Sequence, residues 1–319
     1  MLGLLLFLGG LRLLADGLES LSGSSFAAAL QYFTQTRFTA FCCGLIFTAF
    51  TQSSSLTTVI VVGVVESGLI ELKEAIAVII GANVGTTITG QLLSFQLFDY
   101  ALPLAAVGII LAFCSNSYTR NTGRALIGFS VLLFGLKTMS TALEPLANMP
   151  FFVSMFSLAS RHPLLGVAAG AVITSLIQSS SAVVGMVLAL ANSGALSLPA
   201  GVAIAIGADV GTCATSLIAS IGSGLSARRA AVAHLLFNLI SVVLIIPLFS
   251  QFIKLAAISA GTLPRQLANA HTFYNISGAI FLLLFLTPFQ KLVEKLVRSS
   301  YNEKKRIYDF FNELIRKWF

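Results

Sequence analysis

The most constraining feature of this chain is that it contains itself twice. Shifting the sequence by 126 residues lays Gln52-Ser53-Ser54-Ser55 on Gln178-Ser179-Ser180-Ser181, Ser67-Gly68 on Ser193-Gly194, and "GANVGTTIT" (81–89) on "GADVGTCAT" (207–215). Gly9, Gly44 and Thr48 meet Gly135, Gly170 and Thr174 under the same shift. About a third of positions match between residues 37–90 and 163–216, with no gap. Shared greasiness cannot put so many polar residues in register. An internal duplication follows, so the fold has to be two copies of one supersecondary pattern.

The polar matches interrupt long apolar runs. The chain has 319 residues, 56% hydrophobic and only 10% charged, against about 25% charged in a soluble domain. Apolar stretches recur at about the 20-residue length that crosses a bilayer core. The expected class is an all-α polytopic membrane protein; the short alternating segments of a β-barrel are absent. The net charge of +7 suggests nucleic acid at first sight. Its basic residues fall instead in short loops and in the tail from Lys291 to Lys317, as cytoplasmic connections do, so no nucleic-acid partner is expected. Cys42, Cys43, Cys114 and Cys213 form no CxxC pair, which supports neither a disulfide framework nor a zinc site. Residues 1–15 lack the basic start and cleavage site of a signal peptide and read as a first membrane helix. Met1 leads straight into that helix, as in a numbering that begins inside a longer parent.

Each repeat has the same grammar: a helix (2–22; 123–148), a polar-interrupted apolar stretch (38–68; 164–194), the helix carrying GA[ND]VGT (72–93; 198–221), and a further helix (101–118; 229–250). A last apolar helix spans roughly 267–290, and the weakly apolar 23–36 reads as interfacial. The interrupted stretches are about 30 residues long where one crossing needs about 20. A re-entrant helical hairpin with its turn at Gln-Ser-Ser-Ser fits better, and such a turn must face protein or water rather than lipid. The expected organisation is a first repeat over 1–122, a second over 123–252, a final membrane helix within 253–298 and an amphipathic cytoplasmic tail at 299–319. In that tail Ile307, Phe310, Phe311, Leu314, Ile315 and Trp318 share one helix face.

If the basic tail is cytoplasmic, counting back places Arg228-Arg229, Arg120-Arg124 and Arg37 with Lys73 inside. The first hairpin then enters from the cytoplasm and the second from outside. The repeats are inverted, although Arg161, Lys254 and Arg265 fall on the outer side.

Inverted repeats with broken helices are the architecture of secondary transporters, with the site near the midplane. At each turn the free N–H groups and positive dipole end of the second short helix invite an anion. Serine hydroxyls donate to an oxyanion, and a glutamine amide supplies both a donor and an acceptor. Gln52, Ser53, Ser54, Ser55, Gln178, Ser179, Ser180 and Ser181 are therefore the candidate anion site. Serines in membrane helices also serve close packing, but two clusters in register with a duplication favour function. Freed carbonyl and hydroxyl oxygens suit a hard cation such as Na⁺. Candidate ligands are Ser54, Ser55, Asn83, Thr86, Thr87, Ser180, Ser181, Asp209 and Thr212, although a helical threonine can bond its own backbone instead. Asp209 replaces Asn83 of the first repeat, and an acid within a membrane segment is costly and usually functional. "HLLFN" (His234, Asn238) and "HTFYN" (His271, Asn275) stack their polar ends on one helix face. They read as hydrogen-bonded supports for the hairpins rather than metal ligands. GANVGT lacks the Lys of a P-loop; no enzyme activity and no cofactor beyond a coupling ion is expected.

Duplicated Gln-Ser-Ser-Ser, each followed after about 29 residues by a Gly-[Ala/Ser]-[Asn/Asp]-x-Gly-Thr run, resembles the type II sodium–phosphate cotransporter family. The His-x-x-Phe-Asn flavour of the later helices is similar too, and the resemblance covers roughly residues 1–290. It implies Na⁺-coupled symport of inorganic phosphate across the cytoplasmic membrane, with both Gln-Ser-Ser-Ser clusters forming the substrate and ion site. Asp209 departs from the Asn that animal members carry at both matching positions, which bears on ion stoichiometry and proton involvement. Bacterial relatives often append a soluble helical domain like the phosphate-signalling regulator PhoU; the sequence stops after one amphipathic helix, as expected if that domain is missing or was removed, and a homodimer is the other partner to consider. Competing readings are transport of another small anion, phosphate export, and a channel or anchor presenting a regulatory domain.

Overall fold

In a computed structural model, the structure describes residues 2–22, 34–95 and 97–298, together with Leu30 and Tyr32. The expected tail at 299–319 and most of the interfacial stretch 23–36 lie outside the described residues. Every regular element described is helical: α1 (Leu2–Ser22), α2 (Arg37–Thr51), α3 (Ser54–Glu66), α4 (Leu72–Ser94), α5 (Ala101–Ala112), α6 (Ser117–Leu143), α7 (Pro150–Arg161), α8 (Pro163–Ile177), α9 (Ser180–Asn192), α10 (Leu198–Ala219), α11 (Leu225–Ile245), α12 (Phe249–Ile258), α13 (Leu263–Leu284) and α14 (Leu286–Leu296). Helices satisfy their own backbone groups, which hydrocarbon requires of any spanning segment.

Among the described residues five stretches are long and apolar enough to cross a membrane: Leu72–Ser94, Ser117–Asn148, Leu198–Ala219, Leu225–Ile258 and Leu263–Leu284. A sixth arises if Pro150–Arg161 and Pro163–Ile177 form one span bent by 114°. The chain is thus a multi-pass membrane protein.

Several expected boundaries change. The helix at 2–22 forms but is not among the spans, because Arg12, Asp16 and Glu19 concentrate three charges in it. The helix expected at 101–118 stops at Ala112. Asn116 begins the next one, accepting from Tyr118 N (2.8 Å) and Thr119 N (3.3 Å). The run expected at 267–290 breaks at Phe285. Pro288 has no N–H for the carbonyl of Leu284 there. Helix α7 occupies a stretch for which no element was expected.

The packing repeats the sequence repeat. α2 lies along α4, and α8 along α10. A Cβ on Gly81 would strike the Phe41 carbonyl, and one on Gly207 would strike the equivalent Val167 carbonyl. Gly44 and Gly170 face the Val78 and Ile204 carbonyls in the same way. The glycines of GA[ND]VGT thus let two backbones touch, as small residues do between membrane helices. α1 and α6, which carry the matching Gly9 and Gly135, pack on each other. The buried apolar side chains divide accordingly. One group surrounds α9 and α10, with Phe7, Leu132 and Leu136; the other surrounds α3 and α4, with Ala230, Phe237 and Val293.

Candidate functional site

Both apolar arms end at a glutamine in the left-handed region, Gln52 at φ 54° and Gln178 at φ 60°. Among the described residues these are the two non-glycine positions with positive φ. Such a conformation costs of order 1–3 kcal/mol and persists where the surroundings impose it. Each glutamine N–H closes the preceding helix, Gln52 on the Thr48 carbonyl (2.8 Å) and Gln178 on the Thr174 carbonyl (2.6 Å). The next serine is extended and caps the following helix. Ser53 Oγ accepts from Leu56 N, and Ser179 Oγ from Ala182 N, both at 3.2 Å.

The first turn folds back on itself. Thr48 and Thr57 join their hydroxyls at 2.6 Å, whereas nine residues of continuous helix would separate them by about 13 Å. The second turn has the same dihedrals, with Val183 in place of Thr57.

The two turns meet. Gln52, Ser53, Ser54, Ser55, Gln178, Ser179, Ser180 and Ser181 line a cavity of about 30 Å³, and no other residue does. No arginine or lysine reaches it. The hydroxyls of Ser54, Ser55, Ser180 and Ser181 have no hydrogen-bond partner among the described residues. The first N–H groups of α3 and α9 likewise have no partner within their helices. Two positive helix ends and four free hydroxyls thus converge on one small polar space, an arrangement suited to an oxyanion.

The remaining candidates gather elsewhere. Asp209 is buried on α10, and both carboxylate oxygens accept from His271 Nε2 on α13 (3.0 and 2.9 Å). Asn275 Nδ2 adds a 2.8 Å bond to the same carboxylate. Its first-repeat equivalent, Asn83, accepts at 3.3 Å from Asn238 Nδ2 on α11, which also approaches Cys213 Sγ (3.3 Å). His234 Nδ1 meets Ser216 Oγ at 3.1 Å. Each His-x-x-x-Asn helix thus supplies an amide to one of the two Asn/Asp positions. The buried Oδ1 atoms of Asn238 and Asn275 have no partner. Thr86, Thr87 and Thr212 donate to carbonyls of their own helices, at 3.1, 2.8 and 2.9 Å. Neither these threonines nor Asn83 nor Asp209 line the serine cavity, and no hydrogen bond among the described residues joins the two groups. The cation ligands named from sequence therefore divide into two sets.

Residues singled out by the structure alone are Thr89, whose hydroxyl donates to Gln52 Oε1 at 2.5 Å, and Thr51 and Thr58, whose buried hydroxyls beside the first turn have no partner. Thr89 and Thr215 match within the aligned GA[ND]VGT runs, a signal the sequence carried.

Comparison with known proteins decides the class. The sequence profile described as Na⁺/Pi-cotransporter matches residues 6–141 and again 131–263. The chain belongs to the Na⁺/Pi-cotransporter family. The family's domain falls on it twice, as the duplication does, and the family is one of transporters rather than enzymes. The uncharacterized protein YqeW of Bacillus subtilis (strain 168) is 30% identical over 76% of this chain and 80% of its own length. YjbB of Escherichia coli (strain K12), provisionally named an inorganic phosphate export protein, is 28% identical over 76% of this chain and 45% of its own length. The chain thus spans less than half of that relative. The human sodium-dependent phosphate transport protein 2B is 36% identical over 30% of this chain and 15% of its own length. No solved structure matches the chain.

Proposed function

We propose that this chain carries inorganic phosphate across the membrane by alternating access, with Na⁺ as the coupling ion. The reading rests on one observation: two helix N-termini and the eight Gln-Ser-Ser-Ser residues enclose a single polar cavity in a member of this family. The cavity volume is that of roughly two waters at about 10–15 Å³ each, so a tetrahedral oxyanion enters only when the turns part. Each helix end contributes at most about 2 kcal/mol toward an anion, while removing an ion from water costs several kcal/mol or more. With no basic side chain at the cavity, a co-bound cation has to offset the charge, which favours Na⁺ coupling. The serine hydroxyls, Thr51 and Thr58 offer hard oxygens beside the anion. Asp209, with the unpartnered Asn275 oxygen, offers a second cation position or a proton acceptor. In this reading residues 1–122 and 123–252 form inverted halves whose hairpins enter from opposite faces.

Export is a second reading of direction, favoured by the name of YjbB, a relative matched over 76% of this chain. The same site serves both directions, and the gradients choose between them.

Radiolabelled phosphate uptake into proteoliposomes under Na⁺, K⁺ or H⁺ gradients is the test. Na⁺-stimulated, concentrative uptake is expected, competed by arsenate. Folded protein that shows no Na⁺-stimulated, concentrative uptake overturns the proposal. Asp209→Asn should alter cation or pH dependence more than folding; unchanged dependence removes Asp209 from coupling.

A further inference from the structure

Some differences between the two hairpins are written in the sequence, as with Thr57 and Val183. One is not. Gln52 and Gln178 are the same residue in the same left-handed geometry, and Thr89 and Thr215 are the same residue one repeat apart. Yet Gln52 is buried, donates to the Ala49 carbonyl and accepts from Thr89. Gln178 is exposed, and its side-chain amide bonds nothing among the described residues. The Thr215 hydroxyl is buried with no partner. The neighbouring equivalents follow suit, Thr51 being 1% exposed and Ile177 39%. Identical residues in identical backbone geometry, bonded in one repeat and not in the other, are what a difference of state produces.

We propose that Gln178 and Thr215 form a latch that closes in the opposite access state, when the Gln52–Thr89 bond opens. Thr89 and Thr215 are then positioning residues: they hold the glutamine of one turn and so decide which turn water and phosphate reach. The inference rests on the alternating-access reading above. An unpaired amide at membrane depth needs water, so the open second turn is the one facing an aqueous path. Beside it lies an apolar cavity of about 630 Å³ lined by Ile173, Ile177, Val183 and Met186 among others. That space lets the second turn swing without displacing packed helices. It also explains why a buried hydroxyl is kept without a partner, since such a group normally costs stability.

The test reads accessibility rather than transport. Cys42, Cys43, Cys114 and Cys213 are first replaced by alanine. Ile177→Cys and Thr51→Cys then serve as separate reporters for a water-soluble maleimide in proteoliposomes. The parent should label faster at Ile177→Cys than at Thr51→Cys. Thr215→Val should widen that gap and Thr89→Val should narrow it, each by about two- to tenfold, the population shift that one neutral hydrogen bond supports. Thr215→Ser and Thr89→Ser keep the hydroxyl and should restore the parent pattern. Thr215→Val removes a buried group unpartnered in the observed state, so it should leave thermal stability unchanged or raise it while slowing phosphate exchange. Unchanged labelling ratios, or shifts in the same direction for both valine variants, overturn the latch even in protein that transports phosphate. Labelling that shifts as described, when the unmutated chain moves no phosphate, upholds the latch and removes the transport reading.

Discussion

The two hairpins share a backbone and differ in how it is held. The first is closed by the Thr48–Thr57 bond, by Thr89 on Gln52, and at its far end by Glu66. The Glu66 carboxylate accepts from Gly224 N (2.7 Å) and Ala227 N (3.3 Å), capping α11. The second has Val183 where Thr57 stands, and Thr174 and Thr215 are left with buried, unpartnered hydroxyls. Duplication therefore preserved what makes the break, a left-handed glutamine and a capping serine, while Val183 removes the threonine tie and the Gln178–Thr215 pair is kept but unbonded. The break is the part the proposed chemistry needs twice. The ties are free to differ.

The same contrast runs through the buried polar network, and there the largest effect is expected. Asp209 sets a carboxyl group against His271 and Asn275, while Asn83 keeps an amide-to-amide bond to Asn238. Stranding a buried charge costs about 3–5 kcal/mol, whereas losing a neutral partner costs about 1–3 kcal/mol. His271→Ala should therefore lower thermal stability in detergent more than Asn238→Ala. Equal losses from the two would mean that Asp209 is not a buried, charged partner. Asp209→Asn in the His271→Ala background should recover part of the loss, because it removes the stranded charge.

The helix breaks were legible in the sequence because their cause is local. A Gln-Ser-Ser-Ser interruption in an apolar run predicted breaks inside 38–68 and 164–194, and the observed pairs run Arg37–Glu66 and Pro163–Asn192. Partner choice was not legible, because it is decided by non-local packing. Nothing in "HTFYN" says that it will meet Asp209 rather than Asn83. The threonines show the limit most clearly. Thr86, Thr87 and Thr212 bond their own helices, the default for a threonine within a helix. Thr89 has the same local setting and reaches across to Gln52. Spacing alone does not separate those two outcomes. Burial against the first turn does.

Replacing each glutamine with glycine sharpens the comparison at the next level of size. Both variants relieve the left-handed strain, worth about 1 kcal/mol or more. Gln52→Gly also strands the Thr89 hydroxyl in a buried setting, costing about 1–3 kcal/mol. Gln178→Gly loses no side-chain bond in the observed state. Thermal melts should thus show Gln52→Gly neutral or destabilised and Gln178→Gly neutral or stabilised, with phosphate binding weakened in both. The reverse order would mean that the second turn, not the first, is the tied one.

The smallest effect concerns the threonine pair beneath the turns, and it is the cleanest because it can be moved from one repeat to the other. Thr48→Val removes one neutral hydrogen bond and should cost about 1 kcal/mol; Thr57 keeps its bond to the Ser53 carbonyl at 3.1 Å and is not stranded. Thr174→Val deletes a hydroxyl that has no partner and should cost nothing. Val183→Thr places a hydroxyl where the first hairpin has Thr57, so it should pair with Thr174 and stabilise the second hairpin by up to about 1 kcal/mol. Thr174→Val added to Val183→Thr should cancel that gain, which a change in packing alone would not do. A hairpin stiffened in this way should also open less readily. Phosphate exchange in Val183→Thr should therefore slow while the melting temperature rises. A rise in both would separate stiffness at this pair from the motion of the turn.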